Sequence, residues 1–202
     1  MAKRSAPEVN AGSMADIAFL LLIFFLVTTT IETDSGISRK LPQWQPEDVE
    51  PPIIKQRNIF TVEVNSNNQL LVEEEEMELS ELQEAAVEFL DNGAGTGDEA
   101  CSFCQGAKDE SSSVNPQKAI ISLMNNRGTE YGTYIAVQNE LVAAYNQLRD
   151  REAQRMYGMT FTQMEKNYGD PSFNGDKEAL KEKIDVIQDM IPQKLSEAEP
   201  RS

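Results

Sequence analysis

The feature that most constrains this chain is an apolar run near its N-terminus. Residues 17–27 read IAFLLLIFFLV, eleven apolar residues without a break. Over residues 14–31 the run has 18 residues, in which only Asp16, Thr28, Thr29 and Thr30 are not apolar. A helix of that length spans about 27 Å, close to the hydrocarbon thickness of a bilayer. We therefore predict a single N-terminal transmembrane helix over 14–31, preceded by a tail over 1–13.

A secretory signal peptide is the alternative interpretation of this segment, because Lys3 and Arg4 precede the apolar run. The residues that follow, TTTIETDSG, contain no clear small-x-small cleavage site, and a signal peptide has no use for an acid at the start of its apolar core. A retained anchor is therefore favoured. Its orientation stays open, since Lys3 and Arg4 on one side balance Arg39 and Lys40 on the other.

The charge of the chain excludes several classes of function. There are 34 acidic and 18 basic residues, for a net charge of -16, and no histidine. A chain with this excess of negative charge is repelled by the phosphate backbone of a nucleic acid. We therefore expect no nucleic-acid partner. Without histidine, His-dependent catalytic triads and His-containing zinc sites are excluded. We expect no enzyme activity, no cofactor and no metal.

The charge also differs along the chain. The four charges within residues 1–31 cancel, so the whole net charge lies in residues 32–202. An anionic lipid surface would repel a domain of that charge. Pro42, Pro46, Pro51 and Pro52 make residues 32–56 a semi-rigid linker that separates this domain from the anchor.

Residues 57–202 predict a small α+β domain. Alternating apolar residues indicate a first strand at 58–65, and QLLVE at 69–73 returns as the second strand of a hairpin. Ser80 and Gln83 form a capping-box pattern before a helix. Further along, we expect these elements: a strand at 119–124, a long helix with its apolar stripe from Tyr134 to Leu148, mixed and mainly helical sequence over 156–189, and a short strand at 193–197.

Residues 91–116 form a Gly-, Ser- and Cys-rich insertion without periodicity, so we predict a long loop. Its Cys101 and Cys104 allow a disulfide, free thiols or a redox-active pair. Redox-active pairs of this spacing open a helix directly after a strand, whereas Cys101 follows the acids Asp98 and Glu99 in irregular sequence. A disulfide is favoured over thiol chemistry, and zinc would need two further ligands from another chain.

Asp16 is the candidate for chemistry. It has two readings: a helix N-cap in the headgroup region, or a proton-binding carboxylate inside the apolar layer, where an ionised group costs about 2.5–3.5 kcal/mol. A single helix cannot enclose a proton path, and Leu20, a possible pore-lining residue on the same face as Asp16, is apolar. The second reading therefore requires a multi-helix partner. Thr28, Thr29 and Thr30 either line such a path or bond back to helix carbonyls.

These residues resemble a known family. The segment SMADIAFLLLIFFLV at 13–27 is similar to the transmembrane segment of ExbD/TolR proteins, and PEVNAGSMADIAF with Leu41-Pro42 resembles the Bacteroidetes ExbD type. Residues 119–148, with Tyr131-Gly132 opening the helix, resemble the family's periplasmic domain. The insertion 91–116 and residues 156–189 depart from the family pattern.

The resemblance implies a single-pass inner-membrane protein with a cytoplasmic N-terminus and a periplasmic domain. It implies a homodimer of helices inside ExbB-like membrane subunits, with Asp16 as the proton carrier, coupled to a TonB-like protein and TonB-dependent transport. A MotB-like or TolR-like stator subunit is the alternative, although the N-x-x-L-S-x-x-R-A signature of MotB is not found. The second alternative is a membrane-anchored thiol oxidoreductase acting through Cys101 and Cys104.

Overall fold

The computed structural model describes residues 11–28 and 54–198. The chain divides into two compact units, Met1–Trp44 and Gln45–Ser202. The described part of the first unit is one helix, α1 (Ala11–Thr28). All but residues 54–56 of the predicted linker 32–56 lies outside the described residues.

The second unit is built on a five-stranded mixed sheet in the order β3-β2-β1-β4-β5. Its strands are short because polar or turn-forming residues interrupt each apolar stretch. Their bounds are β1 (Ile59–Val64), β2 (Leu70–Val72), β3 (Glu75–Met77), β4 (Ile120–Asn125) and β5 (Leu195–Ala198). β1, β2 and β3 are antiparallel neighbours, whereas β1, β4 and β5 run parallel. The predicted α+β class is confirmed.

The described residues of this unit form four α-helices: α2 (Leu79–Asp91), α3 (Tyr131–Tyr157), α4 (Phe161–Gly169) and α5 (Lys177–Met190). α2 and α3 pack on one face of the sheet, because their apolar stripes share one core with the inward side chains of β1, β2 and β4. Phe60 of β1 stacks on Phe89 of α2 with ring centroids 5.0 Å apart. Val137, Leu141 and Tyr145 of α3 are fully buried in the same core.

A second, smaller core forms where α4 and α5 pack on the end of α3. Phe161, Met164, Ile184 and Ile187 bury their side chains there against Ala153. Gly158 ends α3 with a φ of 69°, a left-handed conformation that glycine adopts without a Cβ clash. The turn it makes brings α4 back onto α3. The mainly helical character predicted for 156–189 is confirmed.

Several boundaries differ from the sequence-based predictions. β3 was not expected, because it is a short strand made of Glu75, Glu76 and Met77 with no apolar alternation. The β2–β3 turn places Glu73 and Glu74 at φ of 51° and 72°. Two positive φ values are what a two-residue hairpin turn requires, but glycine or asparagine is its usual signature. Hydrogen bonds between Thr61 and Glu73 support the turn through both the backbone and the Glu73 side chain.

The predicted capping box at Ser80 and Gln83 is wrong. The N-cap of α2 is Glu78, two residues before Ser80, and it makes no side-chain capping bond, so the helix begins at Leu79. Met77 and Leu79 both pack against the core, so burial of apolar side chains sets this boundary rather than a cap. The loop predicted at 91–116 is irregular apart from a 3-10 turn at Gly97–Glu99.

Candidate functional site

Asp16 is the only charged residue of α1, and the eleven residues that follow it, 17–27, are all apolar. Side chains from Phe19 to Phe25, seven consecutive residues, are each at least 42% exposed. Seven residues cover almost two turns of helix, so no direction around the axis is polar along this stretch. The backbone N–H and C=O groups of such a helix pair with each other within the helix. Its apolar side chains favour contact with apolar groups rather than with water.

The position of Asp16 within α1 distinguishes its two interpretations. α1 begins at Ala11, so Asp16 lies more than one full turn inside the helix. A capping side chain sits just before the first turn and accepts from the N–H groups of that turn. The described helix therefore contradicts the N-cap interpretation. The Asp16 side chain is exposed, and no ion pair found in residues 11–28 and 54–198 includes it.

The other predicted residues of this site are only partly described. Leu20 lies four residues after Asp16, on the same helix face, and is 58% exposed. Thr28 is the last residue of α1, but its side chain lies outside the described residues, as do Thr29 and Thr30. The proposed pore-lining role of the threonines thus stays a prediction.

Within residues 11–28 and 54–198, no helix is long and apolar enough to cross a membrane.

Cys101 and Cys104 form a disulfide in the loop between α2 and β4. The backbone N–H of Cys104 donates to Sγ of Cys101 across 3.1 Å. Cys101 does not open a helix, since the residues around the pair are irregular. A redox-active pair uses a helix N-terminus to stabilise its thiolate, and none is present at this point of the loop. The arrangement favours a structural disulfide over thiol catalysis.

Polar contacts to the end of α2 hold the loop in place. The Asn92 amide donates to the carbonyl oxygens of Asp109 and Ser113, and its own oxygen accepts from the Asp109 N–H at 2.8 Å. The backbone of Gly106 passes so close to Asn92 that a Cβ atom added to Gly106 would lie 2.6 Å from the Asn92 Cα. The loop is therefore a packed part of the domain, although its sequence has no periodicity.

An ion-pair network joins the end of α2 to α3, and one of its members also contacts the loop. Arg151 donates two hydrogen bonds to the Asp91 carboxylate, at 2.6 and 2.7 Å, and one to the Phe103 carbonyl at 3.4 Å. The hydrogen bonding to the Asp91 carboxylate is the main reason that the pKa of Arg151 is raised. Glu152 is fully buried and accepts from Arg151 and Arg155 at 3.2 and 2.7 Å. Sequence patterns could not indicate the Asp91–Arg151 pair, because its partners lie 60 residues apart.

In the described parts of the chain, His, Cys, Asp and Glu side chains form no group of three or more that could hold a metal ion. The disulfide also removes both thiolates as ligands. α1 itself carries one ionisable side chain, the carboxylate of Asp16.

The sequence of the chain matches the model of a known protein family. A family model described as "Biopolymer transport protein ExbD/TolR" matches residues 2–149, more than half of the 202 residues. The match includes α1 with Asp16 and ends within α3, before α4, α5 and β5. Among curated proteins, none matches the chain.

The first prediction concerns the ion pair of Asp91. Asp91→Asn keeps the shape of the side chain but leaves the Arg151 cation without its bidentate partner, so we expect a loss of about 2 kcal/mol in the free energy of unfolding. Denaturant unfolding of the full chain measures it. Asp98→Asn is the matched control, because Asp98 is exposed in the same loop. Equal stability of the two variants would show that the Arg151 pair contributes nothing.

The second prediction concerns the disulfide. It closes a loop with only two intervening residues, so its removal frees little conformational entropy in the unfolded chain. Replacing both Cys101 and Cys104 by serine should lower the free energy of unfolding by less than about 2 kcal/mol and leave transport intact. Transport lost at normal protein levels would assign the disulfide a functional role.

Proposed function

Since the chain belongs to the ExbD/TolR family, we propose that it is the ExbD-like subunit of an inner-membrane motor that uses the proton-motive force to energise TonB-dependent transport across the outer membrane. In this proposal residues 14–31 are the membrane anchor and Asp16 carries the proton. The partners are ExbB-like membrane subunits, a second copy of the chain and a TonB-like protein.

The observation that carries the proposal is the placement of Asp16. It is a lone carboxylate inside a helix whose remaining surface is apolar, more than one turn from the described helix start. An ionised carboxylate in an apolar layer is costly, so intramembrane acids are expected at ion and proton pathways. A carboxylate is also the group available for proton transfer in a chain without histidine.

The need for partners follows from the shape of α1. One helix cannot surround a carboxylate, and the residue one turn away, Leu20, offers no hydrogen bond. Water or polar groups must come from other helices, which is the role proposed for the ExbB-like subunits and a second α1. Moving one charge across 100 mV releases about 2.3 kcal/mol, so several protons per cycle supply enough free energy for a mechanical step.

The disulfide supports a periplasmic location for the C-terminal domain. Disulfides persist in oxidising compartments such as the bacterial periplasm and are rare in the cytosol. Cys101 and Cys104 are joined in this domain, so we propose a cytoplasmic N-terminus and a periplasmic C-terminal domain. The acidic charge of the domain would hold it away from anionic lipid and leave it accessible to a TonB-like protein.

A TolR-like or MotB-like stator subunit is the second candidate, since the matching family includes TolR. It would use Asp16 in the same way and differ only in the protein that it drives. A role as thiol oxidoreductase is disfavoured by the irregular setting of Cys101.

The third prediction tests the proton-carrying role. Asp16→Asn keeps the size and hydrogen-bonding capacity of the side chain but cannot exchange a proton near neutral pH. We expect the variant to insert and to co-purify with its membrane partner, yet to lose proton-driven uptake of a TonB-dependent substrate. Uptake in cells that produce each variant is the measurement.

Asp16→Glu is the matched control, because it keeps a titrating carboxyl group displaced by one methylene. We expect it to be impaired but not to fall below Asp16→Asn. Wild-type uptake together with an intact cell envelope in Asp16→Asn would refute the proton-carrying role. If uptake is unaffected but envelope integrity fails, the TolR-like function is supported in place of the TonB-linked one.

The fourth prediction tests the orientation. A reporter enzyme that is active only in the periplasm, fused after Ser202, should be active, and the same reporter fused before Met1 should not. Edman sequencing of the mature protein should begin at the N-terminal tail. A mature N-terminus after Thr30 would mean that the apolar segment is a cleaved signal peptide.

A further inference from the structure

The sheet of the C-terminal domain has one face that its own helices leave open. Since α2 and α3 share the core on the other face, the opposite side chains of β1, β2 and β4 are only half-buried. Three of the five strands run parallel, and parallel strands normally have both faces covered. The side chains that form this open face are Ile59, Thr61, Glu63, Leu71, Ile120, Ser122 and Met124.

Strand register places Glu63 at the centre of one row across this face. Its direct neighbours are Leu71 on β2 and Met124 on β4, so the carboxylate stands between two apolar side chains. Glu63 is half-buried, and no hydrogen bond or ion pair found in residues 11–28 and 54–198 engages its carboxylate. A charge placed between apolar neighbours without a partner loses hydration and gains nothing in return.

A shallow cavity of about 140 Å³ lies beside Glu63 at the carboxyl ends of β1 and β4. In open α/β sheets, ligands bind outside the carboxyl ends of parallel strands. The lining combines apolar side chains with one carboxylate. Its residues include Glu63, Leu71 and Met124, together with Asn65, Asn125 and Asn126.

The surrounding sequence gives the cavity a negative field. Between Arg57 and Lys108 there are twelve acidic residues and no lysine or arginine. Eight glutamates from Glu73 to Glu88 in β3, its turn and α2 are exposed, and one of them, Glu76, lies in the same row as Glu63. Such a field raises the local concentration of cations and repels anions.

We propose that this cavity binds a lysine side chain presented by a segment of a partner protein. The four methylenes of lysine would cover Leu71 and Met124, and its ammonium group would reach the Glu63 carboxylate. Lysine suits the site better than arginine, because one carboxylate in a small cavity matches a compact point charge rather than a planar fork. The inference goes beyond the proposed function and does not depend on proton transfer at Asp16.

The test uses the full-length protein in nanodiscs with ¹³C-methyl-labelled methionine. The probe is the blocked peptide Ac-Thr-Val-Lys-Val-Thr-NH2, and its control carries norleucine in place of lysine. The Met124 methyl signal, assigned by its absence in Met124→Leu, should shift saturably with the lysine peptide. The norleucine peptide should leave it unchanged at the same concentrations.

Two variants separate the cavity from the general acidic field. Glu63→Gln is nearly isosteric and removes the charge at the site, so we expect about tenfold weaker binding of the lysine peptide. Glu88→Gln is the matched control, because it makes the same charge change at an exposed position of α2. We expect it to change the affinity by less than about twofold.

Three outcomes would overturn the proposal. Equal weakening by Glu63→Gln and Glu88→Gln would mean that only overall charge attracts the peptide. Equal shifts with the lysine and norleucine peptides would mean an apolar contact without charge recognition. A Met124 signal that does not move would mean that the cavity is not a binding site. The peptide comparison uses the wild-type chain, so it decides the matter even if Glu63→Gln fails to fold.

Discussion

The packing of α3 is the interaction on which the rest of the C-terminal domain depends. Its middle turns bury Val137, Leu141 and Tyr145 under the sheet, and its last turns bury Ala153 against α4 and α5. Between the two cores lies Arg149, whose guanidinium donates to the Ile191 carbonyl at 2.9 and 3.0 Å and stacks over the Phe161 ring. Burial lowers the pKa of Arg149. The hydrogen bonds and the aromatic ring replace the hydration that this buried cation gives up.

The same helix ties the irregular parts of the chain to the core. Arg151 donates both to Asp91 at the end of α2 and to the Phe103 carbonyl within the insertion, so one side chain of α3 contacts both segments. Tyr145 adds a contact to the last strand, because its hydroxyl accepts from the Lys194 N–H at 3.3 Å. Burial raises the pKa of this tyrosine, which stays a neutral hydrogen-bonding group. The family match ends at residue 149, before α4, α5 and β5.

Periodicity predicted the elements that bury apolar side chains at regular spacing. β1, β4, α2 and most of α3 were expected near their observed positions, because each carries an apolar stripe of the right period. β3 was missed because a strand of Glu75, Glu76 and Met77 has no such stripe and forms only through its pairing with β2. The start of α2 was wrong because core packing of Leu79 outweighs the capping pattern at Ser80. Asp16 was recognisable as a single acid in an apolar run, but its depth within the helix was not.

The sequence by itself determined the two-part organisation: a long apolar segment with one carboxylate, followed by a strongly acidic α+β domain. Composition and hydrophobic period are local properties, so they can be read along the chain. Only the tertiary structure decided which side chains meet across it. The pairing of Asp91 with Arg151 and the position of Glu63 between Leu71 and Met124 both follow from strand register and helix packing. Such contacts join residues far apart in sequence, and the free energy that selects them comes from the burial of the whole core rather than from any local pattern.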